Sequence, residues 1–452
     1  MRNMQNSKNK RSSAIFVLCT VFVTMILLVP AVPASNGAVS ATELSTGTAS
    51  PSDYIAAGTT VLKLNEAGEI VWFKDLHMTG TKLLNAVVVT DDGFIAVGEV
   101  VAKFDFDGKK MWEKNLNPSK VIYGCVTTVS DGFVCVSDND TYRGSIIITK
   151  FNSDGGLIWQ KKYDSQNGVS LESVAAVQGG IVAAGSSNQL FFGSIAVKFD
   201  NEGNKLWEKS LSFSMFGSGF SCVASAPDGF VAVESDKEWY TIGPDGKRDR
   251  TGSGGKIVKC DNDGNLVWEE MFDPDGASTF TSVTAVSDGY VAVGKVFPES
   301  FGKGAWAYNK GRGGESDALI VKFDLNGNPV WWRNFGGSGL DSFENVVAVP
   351  NGVIAVGKSY PDSFGNGDWK GVDAKRNGGI LAEADTIAVG YNESGIAMWA
   401  QNYEGPSWFT DIINAFLWII LLFVAIVIVS LVAAVYFVRR KKKMGNAESK
   451  NE

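Results

Sequence analysis

The chain has 452 residues, 45% of them hydrophobic, with 51 glycines and 13 tryptophans; this composition excludes a disordered chain and leaves enough apolar material for a large β-rich core. Its net charge is −8, and because both ends are basic the long middle section carries about −16. A surface of that sign repels phosphate backbones, which argues against nucleic-acid partners.

At the amino terminus, Arg2, Lys8, Lys10 and Arg11 precede an apolar run from Ala14 to Val29, followed by Pro30 and small residues. This order of charge, apolar run and small residues predicts a secretory signal over 1–41, cleaved after Ala34 or Ala41. An uncleaved signal anchor is the alternative.

From there one pattern repeats seven times. Its tryptophans are Trp72, Trp112, Trp159, Trp207, Trp268, Trp331 and Trp399; four residues before each stands Gly, and seven before each stands Asn or Asp. The pattern reads as a hairpin. An apolar strand ends at an Asx that caps the turn, Gly supplies the positive φ of a tight return, and the next strand carries the Trp. Turns such as Asp261-Asn262-Asp263-Gly264 share a few features of a calcium loop but lack its remaining acidic ligands, so turn chemistry accounts for them.

A second motif, Asp92-Gly93-Phe94-Ile95-Ala96-Val97-Gly98 and relatives such as Tyr290–Gly294 and Val353–Gly357, follows a further β-branched strand such as Ser282–Val286. Each unit therefore predicts four short antiparallel strands, A to D, repeating at 40–68 residues. The predicted fold is all-β: a seven-bladed β-propeller of four-stranded blades over 42–403. Six good A strands are visible; residues 44–50, poor in β-branched apolar residues, would have to supply the seventh. Lys63, Lys103, Lys150, Lys198, Lys259 and Lys322 fall at one slot of strand C and read as shields of blade surfaces or edges, not as a binding stripe.

The repeat also shows where extra length is allowed. From each Trp to the end of the next strand B is always 25–27 residues, whereas from strand B to the following Trp grows from 14 to 42. All growth lies in the B–C connection. In a four-stranded meander the B–C and D–A connections leave one face, and the A–B and C–D turns leave the other, so the inserts decorate a single face. Insert five contains Trp239 and Tyr240. Insert six runs Phe297-Pro298-Glu299-Ser300-Phe301-Gly302 to Trp306, Tyr308 and Arg312. Insert seven runs Tyr360-Pro361-Asp362-Ser363-Phe364-Gly365 to Trp369, Lys375 and Arg376. Aromatics beside cations on glycine-bent loops suit stacking on sugars or anchoring a peptide. They equally suit packing a long loop onto itself.

After a short linker, 404–411, Ile412 to Val438 is 27 residues without a charge, long enough for a transmembrane helix. Arg439, Arg440, Lys441, Lys442 and Lys443 follow and predict a cytoplasmic basic tail over 439–452. The expected location is the cell membrane, single-pass type I, with the propeller outside the cell.

Cys125, Cys135, Cys222 and Cys260 occupy repeat slots filled elsewhere by apolar or small residues and read as buried thiols, not disulfides. His77 is the chain's one histidine, so a His-based metal site or a Ser-His-Asp triad would lean on it alone. No metal and no cofactor is expected.

The units Val258–Trp268 and Val321–Trp331 resemble PQQ-like propeller repeats, and the linked Gly-Phe-x-Ala-Val-Gly units are similar to those of prokaryotic cell-surface propeller proteins. The resemblance covers about 44–403 and implies architecture, not activity. The adjacent cysteine pair of quinoprotein dehydrogenases has no counterpart here. The expected function is a membrane-anchored extracellular binding propeller with a carbohydrate or a surface protein on its loop-rich face. Its candidate contacts are Trp239, Tyr240, Phe301, Trp306, Tyr308, Arg312, Phe364, Trp369, Lys375 and Arg376. The alternatives are an extracellular carboxylate-dependent glycan hydrolase or lyase, and a scaffold for assembly of envelope proteins.

Overall fold

The computed structural model describes residues 54–57, 60–64, 70–75, 78–79, 82–115, 121–139, 145–164, 169–187, 193–213, 219–235, 241–242, 248–249, 254–273, 276–302, 304–307, 311, 314–375 and 384–403. The expected signal, linker, apolar span 412–438 and basic tail lie outside these residues. Among the described residues no helix is long and apolar enough to cross a membrane: the helical segments are single 3₁₀ turns of three residues. The expected transmembrane helix and single-pass type I topology are corrected accordingly.

The chain folds as a β-propeller. Sheets two to seven are up-and-down blades of four strands, for example Ser278–Val286, Gly289–Val296, Asp317–Asp324 and Pro329–Phe335 in sheet six. Sheet two also carries a two-residue fifth strand, Met78–Thr79. The first sheet has only three: Tyr54–Ala57, Thr60–Leu64 and Ile70–Asp75. The expected seven four-stranded blades are therefore corrected to six. The stretch that would have supplied the missing A strand, 44–50, lacks the β-branched apolar residues found in the other A strands and lies outside the described residues.

Each first strand packs on the first strand of the following sheet, and Tyr54–Ala57 packs on both Lys82–Thr90 and Asp341–Val349, so the succession of sheets closes on itself. Burial falls from the axis outward. Strand B of sheet two, Gly93–Gly98, is buried throughout, while its outer strand Lys110–Lys114 is largely exposed. The apolar clusters lie between neighbouring sheets: one joins Cys222, Val231 and Phe272 of sheet five to Phe280, Trp306 and Phe323 of sheet six. All four described cysteines are buried, and none of them forms a disulfide.

The repeat signature is explained by contacts between blades. The Trp of one sheet lies over the C–D turn of the next, against the turn glycine. A Cβ added at Gly203 would lie 2.7 Å from the Trp159 ring, and one at Gly327 would lie 2.7 Å from Trp268. The same glycines hold φ of +77° and +88°, so both the seat and the turn require a residue without a side chain. The indole N–H then donates to a turn carbonyl: Trp159 to Asn201 (3.0 Å), Trp268 to Leu325 (3.0 Å) and Trp331 to Glu393 (3.0 Å). Asp324 caps its own turn, its Oδ1 accepting from the N–H groups of Asn326 (2.8 Å) and Asn328 (2.9 Å).

The strand C lysines are not surface shields. Lys103, Lys150, Lys259 and Lys322 are buried. Each ammonium reaches an aspartate of the A–B turn: Lys103 to Asp92 (2.7 Å), Lys150 to Asp131, Lys259 to Asp228 and Lys322 to Asp288 (each 2.8 Å). A buried ammonium needs at least one acceptor, because leaving it with none costs several kcal/mol. Sheet four has Gln178-Gly179-Gly180 at that turn, and Lys198 donates instead to the Asn262 carbonyl of the next blade (2.8 Å).

Candidate functional site

Inserts six and seven share one local design. Each leaves strand B through an aromatic and a proline, makes the 3₁₀ turn Pro298–Ser300 or Pro361–Ser363, bends at Gly302 (φ +82°) or Gly365 (φ +81°), and makes a second 3₁₀ turn, Gly304–Trp306 or Gly367–Trp369. A hydrogen bond closes each bend, from Gly302 N–H to the Trp306 carbonyl (2.9 Å) and from Gly365 N–H to the Trp369 carbonyl (3.1 Å).

Both bends drive the tryptophan inward. Trp306 and Trp369 are 0% exposed. Trp306 packs edge-on against Phe301 and Phe272, with centroids 5.4 and 6.3 Å away. Trp369 packs against Phe335 and Phe364, each at 5.0 Å. Neither indole offers a face to a ligand, which corrects their expected role: a long loop gains stability by burying its largest apolar group. Phe301 and Phe364 are half-buried, and Lys375 is exposed. The Lys375 backbone N–H donates to Asp385 Oδ2 at 2.6 Å. Trp239, Tyr240, Tyr308, Arg312 and Arg376 lie outside the described residues, as does His77.

The inserts seat on the D–A loops, which places B–C and D–A connections on one face. In sheet six, Ser300 Oγ donates to the Ala277 carbonyl (2.9 Å) and accepts from the Ala277 N–H (2.7 Å). In sheet seven the seat is the glycine-rich loop Gly336-Gly337-Ser338-Gly339. Gly339 N–H donates to Ser363 Oγ (3.1 Å), and Ser338 Oγ donates to the Asp362 carbonyl (2.8 Å). A Cβ at Gly337 would sit 1.8 Å from the Ser363 carbonyl oxygen, so this approach demands glycine.

Asp341, the first residue of sheet seven, holds the assembly together. Its carboxylate accepts from Gly337 N–H (2.8 Å), Ser363 Oγ (2.9 Å) and Ser359 Oγ, and Ser359 Oγ also accepts from the Trp369 indole N–H (3.0 Å). Asp341 is fully buried. Burial pushes its carboxyl above the usual range, and the donating hydroxyls and N–H only partly oppose this. Insert six has Ser278 and Val296 in the corresponding places; its own buried carboxylate is Asp273 of the D–A loop, which accepts from the Ala305 N–H (3.3 Å).

Sequence reasoning missed Asp341 and a related pair. Asp317 Oδ2 accepts from Asn334 Nδ2 (2.6 Å), and Asp385 Oδ2 accepts from Asn402 Nδ2 (2.8 Å). Both partners are 17 residues apart in sequence, a repeated spacing that was available as a signal. Beside insert six lies a recess of about 200 Å³ lined by Pro298, Phe301, Gly311, Gly314 and Asp317. It is the place where an expected contact, Phe301, borders open space. Gly311 packs flat against it: an added Cβ would lie 2.6 Å from the Phe301 ring. Among the described residues no group of three or more His, Cys, Asp or Glu is arranged to hold a metal ion.

No protein-family model matches the chain, and no curated protein matches it. Among solved structures, BamB from Moraxella catarrhalis is 12% identical, covering 67% of this chain and 78% of its own, with a TM-score of 0.36. The Dos1 propeller is 12% identical, covering 67% and 71%, with a TM-score of 0.39. Dihydro-heme d1 dehydrogenase NirN is 12% identical, covering 78% and 65%, with a TM-score of 0.39. Similarity at this level carries nothing about ligand or activity.

Proposed function

We propose that this propeller is an interaction module, without catalytic activity, whose protein partner engages the face bearing inserts six and seven. One observation carries the reading: two long inserts of the same design are clamped onto the D–A loops of one face, and the recess at Phe301 opens beside them. A rigid, glycine-bent loop with a half-buried aromatic and an adjacent proline suits an anchoring side chain from another protein.

A protein is favoured over a carbohydrate because sugar rings are bound by exposed aromatic faces, and the two tryptophans that would have supplied them are enclosed. The hydrolase or lyase alternative requires two carboxyl groups facing each other across a cleft. The recess is lined by one, Asp317, which is already engaged by Asn334.

The test is a selection of displayed peptides on the purified protein, repeated with Phe301→Ser. Peptides that bind the parent and are lost on the variant, at unchanged melting temperature, support the reading. Peptides that bind both equally, or turnover of a glycan panel by the pure protein, reject it.

A further inference from the structure

The opposite face carries a second regularity. Met111, Ile158, Leu206, Val267, Val330 and Met398 each stand immediately before the signature Trp, at the start of strand D in the six four-stranded blades. All six are apolar, and all are 47–64% exposed. Strand propensity accounts for the choice of Ile158, Val267 and Val330 but not for that of Met111, Leu206 and Met398. Burial does not account for it either, and an exposed outer strand is ordinarily kept polar to prevent association.

The turns beside them are acidic. Asp107, Asp154, Glu202, Asp263 and Glu393 are exposed at the tips of five C–D turns; the turn of sheet six carries Leu325 and Asn326 there instead. Lys110 pairs with Glu113 (2.6 Å) and Lys205 with Glu208 (2.9 Å) within their own blades, while Lys114, Lys198 and Lys209 reach the next blade's turn at the Gly155 carbonyl (2.6 Å), the Asn262 carbonyl (2.8 Å) and Asn265 Oδ1 (2.8 Å) rather than at a tip carboxylate. Strand D is also the outer edge of each blade, with a hydrogen-bonded neighbour on one side only among the described residues.

We propose that the turn-side rim of these blades is a docking surface for an extended protein segment in which cationic and apolar residues alternate. The alternation follows from the strand period, which directs every second side chain to one face. On any one blade the segment's backbone adds to the open edge of strand D, an apolar residue covers the exposed position before the Trp, and a cation meets the acidic turn tip. Anionic lipid, nucleic acid and a second copy of this same rim are disfavoured by like charge.

The experiment uses the full chain and a fluorescent peptide of about ten alternating Lys and Val residues, with a Glu–Val counterpart as control. Polarisation is read at about 50 and about 300 mM salt. The Lys–Val peptide should bind at least about tenfold more tightly than the Glu–Val peptide and weaken with salt. Two sets of substitutions, Ile158→Ser with Leu206→Ser and Val267→Ser, and Asp154→Lys with Glu202→Lys and Asp263→Lys, should each weaken it about tenfold. Neither set removes a core group, and the melting temperature serves as the control for folding. Equal affinity for both peptides, or binding untouched by both sets, overturns the proposal. So does capture by phosphatidylserine vesicles in place of the peptide, or self-association that the rim substitutions abolish. Phe301→Ser should leave this binding unchanged, which separates it from the partner on the insert face.

Discussion

Trp331 lies directly on the backbone of Gly395 in the C–D turn of the following sheet: a Cβ at 395 would come within 2.5 Å of the indole. The ring's N–H reaches the Glu393 carbonyl two residues earlier, at 3.0 Å. Trp159, Trp268 and their turns make the same pair of contacts, so the most regular feature of the sequence is a joint between neighbouring blades.

Gly395→Ala should therefore be costly despite its small size. It introduces a side chain at a φ of +71° and into an occupied volume. Together these should cost about 2–4 kcal/mol, read as a lowered denaturant midpoint. Trp331→Phe should cost about 1 kcal/mol through loss of the indole hydrogen bond, plus a smaller packing loss. Equal effects for the two would mean that the turn, not the joint, dominates.

Asp228 pairs with buried Lys259, whose ammonium donates to it and holds its carboxyl below the usual range. A depressed folded value means the pair stabilises the fold above the unfolded carboxylate value, and that this contribution is lost as pH falls through the folded one. Asp228→Asn should lower stability by about 1 kcal/mol near neutrality, because the aspartate itself is well exposed. The difference from the parent should vanish in strong acid, as measured by urea unfolding at a series of pH values.

Asp341 behaves in the opposite sense. Its carboxyl is raised by burial, so the folded state holds the proton more tightly than the unfolded one. Its ionisation costs stability as pH rises from the unfolded carboxylate value through the folded value. Asp341→Asn should flatten this slope and equal or exceed the parent in stability near neutrality. Asp341→Ala should lose about 2–4 kcal/mol by orphaning the Gly337 N–H and the Ser363 hydroxyl. A steeper pH slope in the Asn variant would refute the assignment.

The thiols of Cys125 and Cys260 are pushed up to about 12, chiefly by burial. Since the thiolate is the reactive form, both should resist a thiol reagent in the native protein near neutral pH and react at once on unfolding. Rapid native labelling of either would show that its blade opens.

Trp369→Ala should cost about 3–5 kcal/mol and release insert seven from its seat, seen as faster amide exchange at Gly337 and Gly339. Phe364→Ala, at a half-buried ring, should cost less. The reverse order would mean that Trp369 is not the anchor of the loop.

The hairpin repeat, its turn chemistry and the confinement of extra length to the B–C connection follow from the order of residues alone. Each depends on contacts between neighbours in the chain: the Asx and Gly of a turn, and the alternation of a strand. The sequence also placed the four thiols in apolar slots. What it could not settle is which way a side chain faces when its partner lies in another sheet. Trp306 and Trp369 looked like a binding surface because a loop aromatic reads the same whether it covers its own insert or waits for a ligand, and only the closed bends at Gly302 and Gly365 turn them inward. The strand C lysines looked like edge guards because their aspartates lie one turn away in space but several to many residues off in sequence. The burial of Asp341 beneath insert seven was decided in the same way, by packing between segments that the chain order keeps apart.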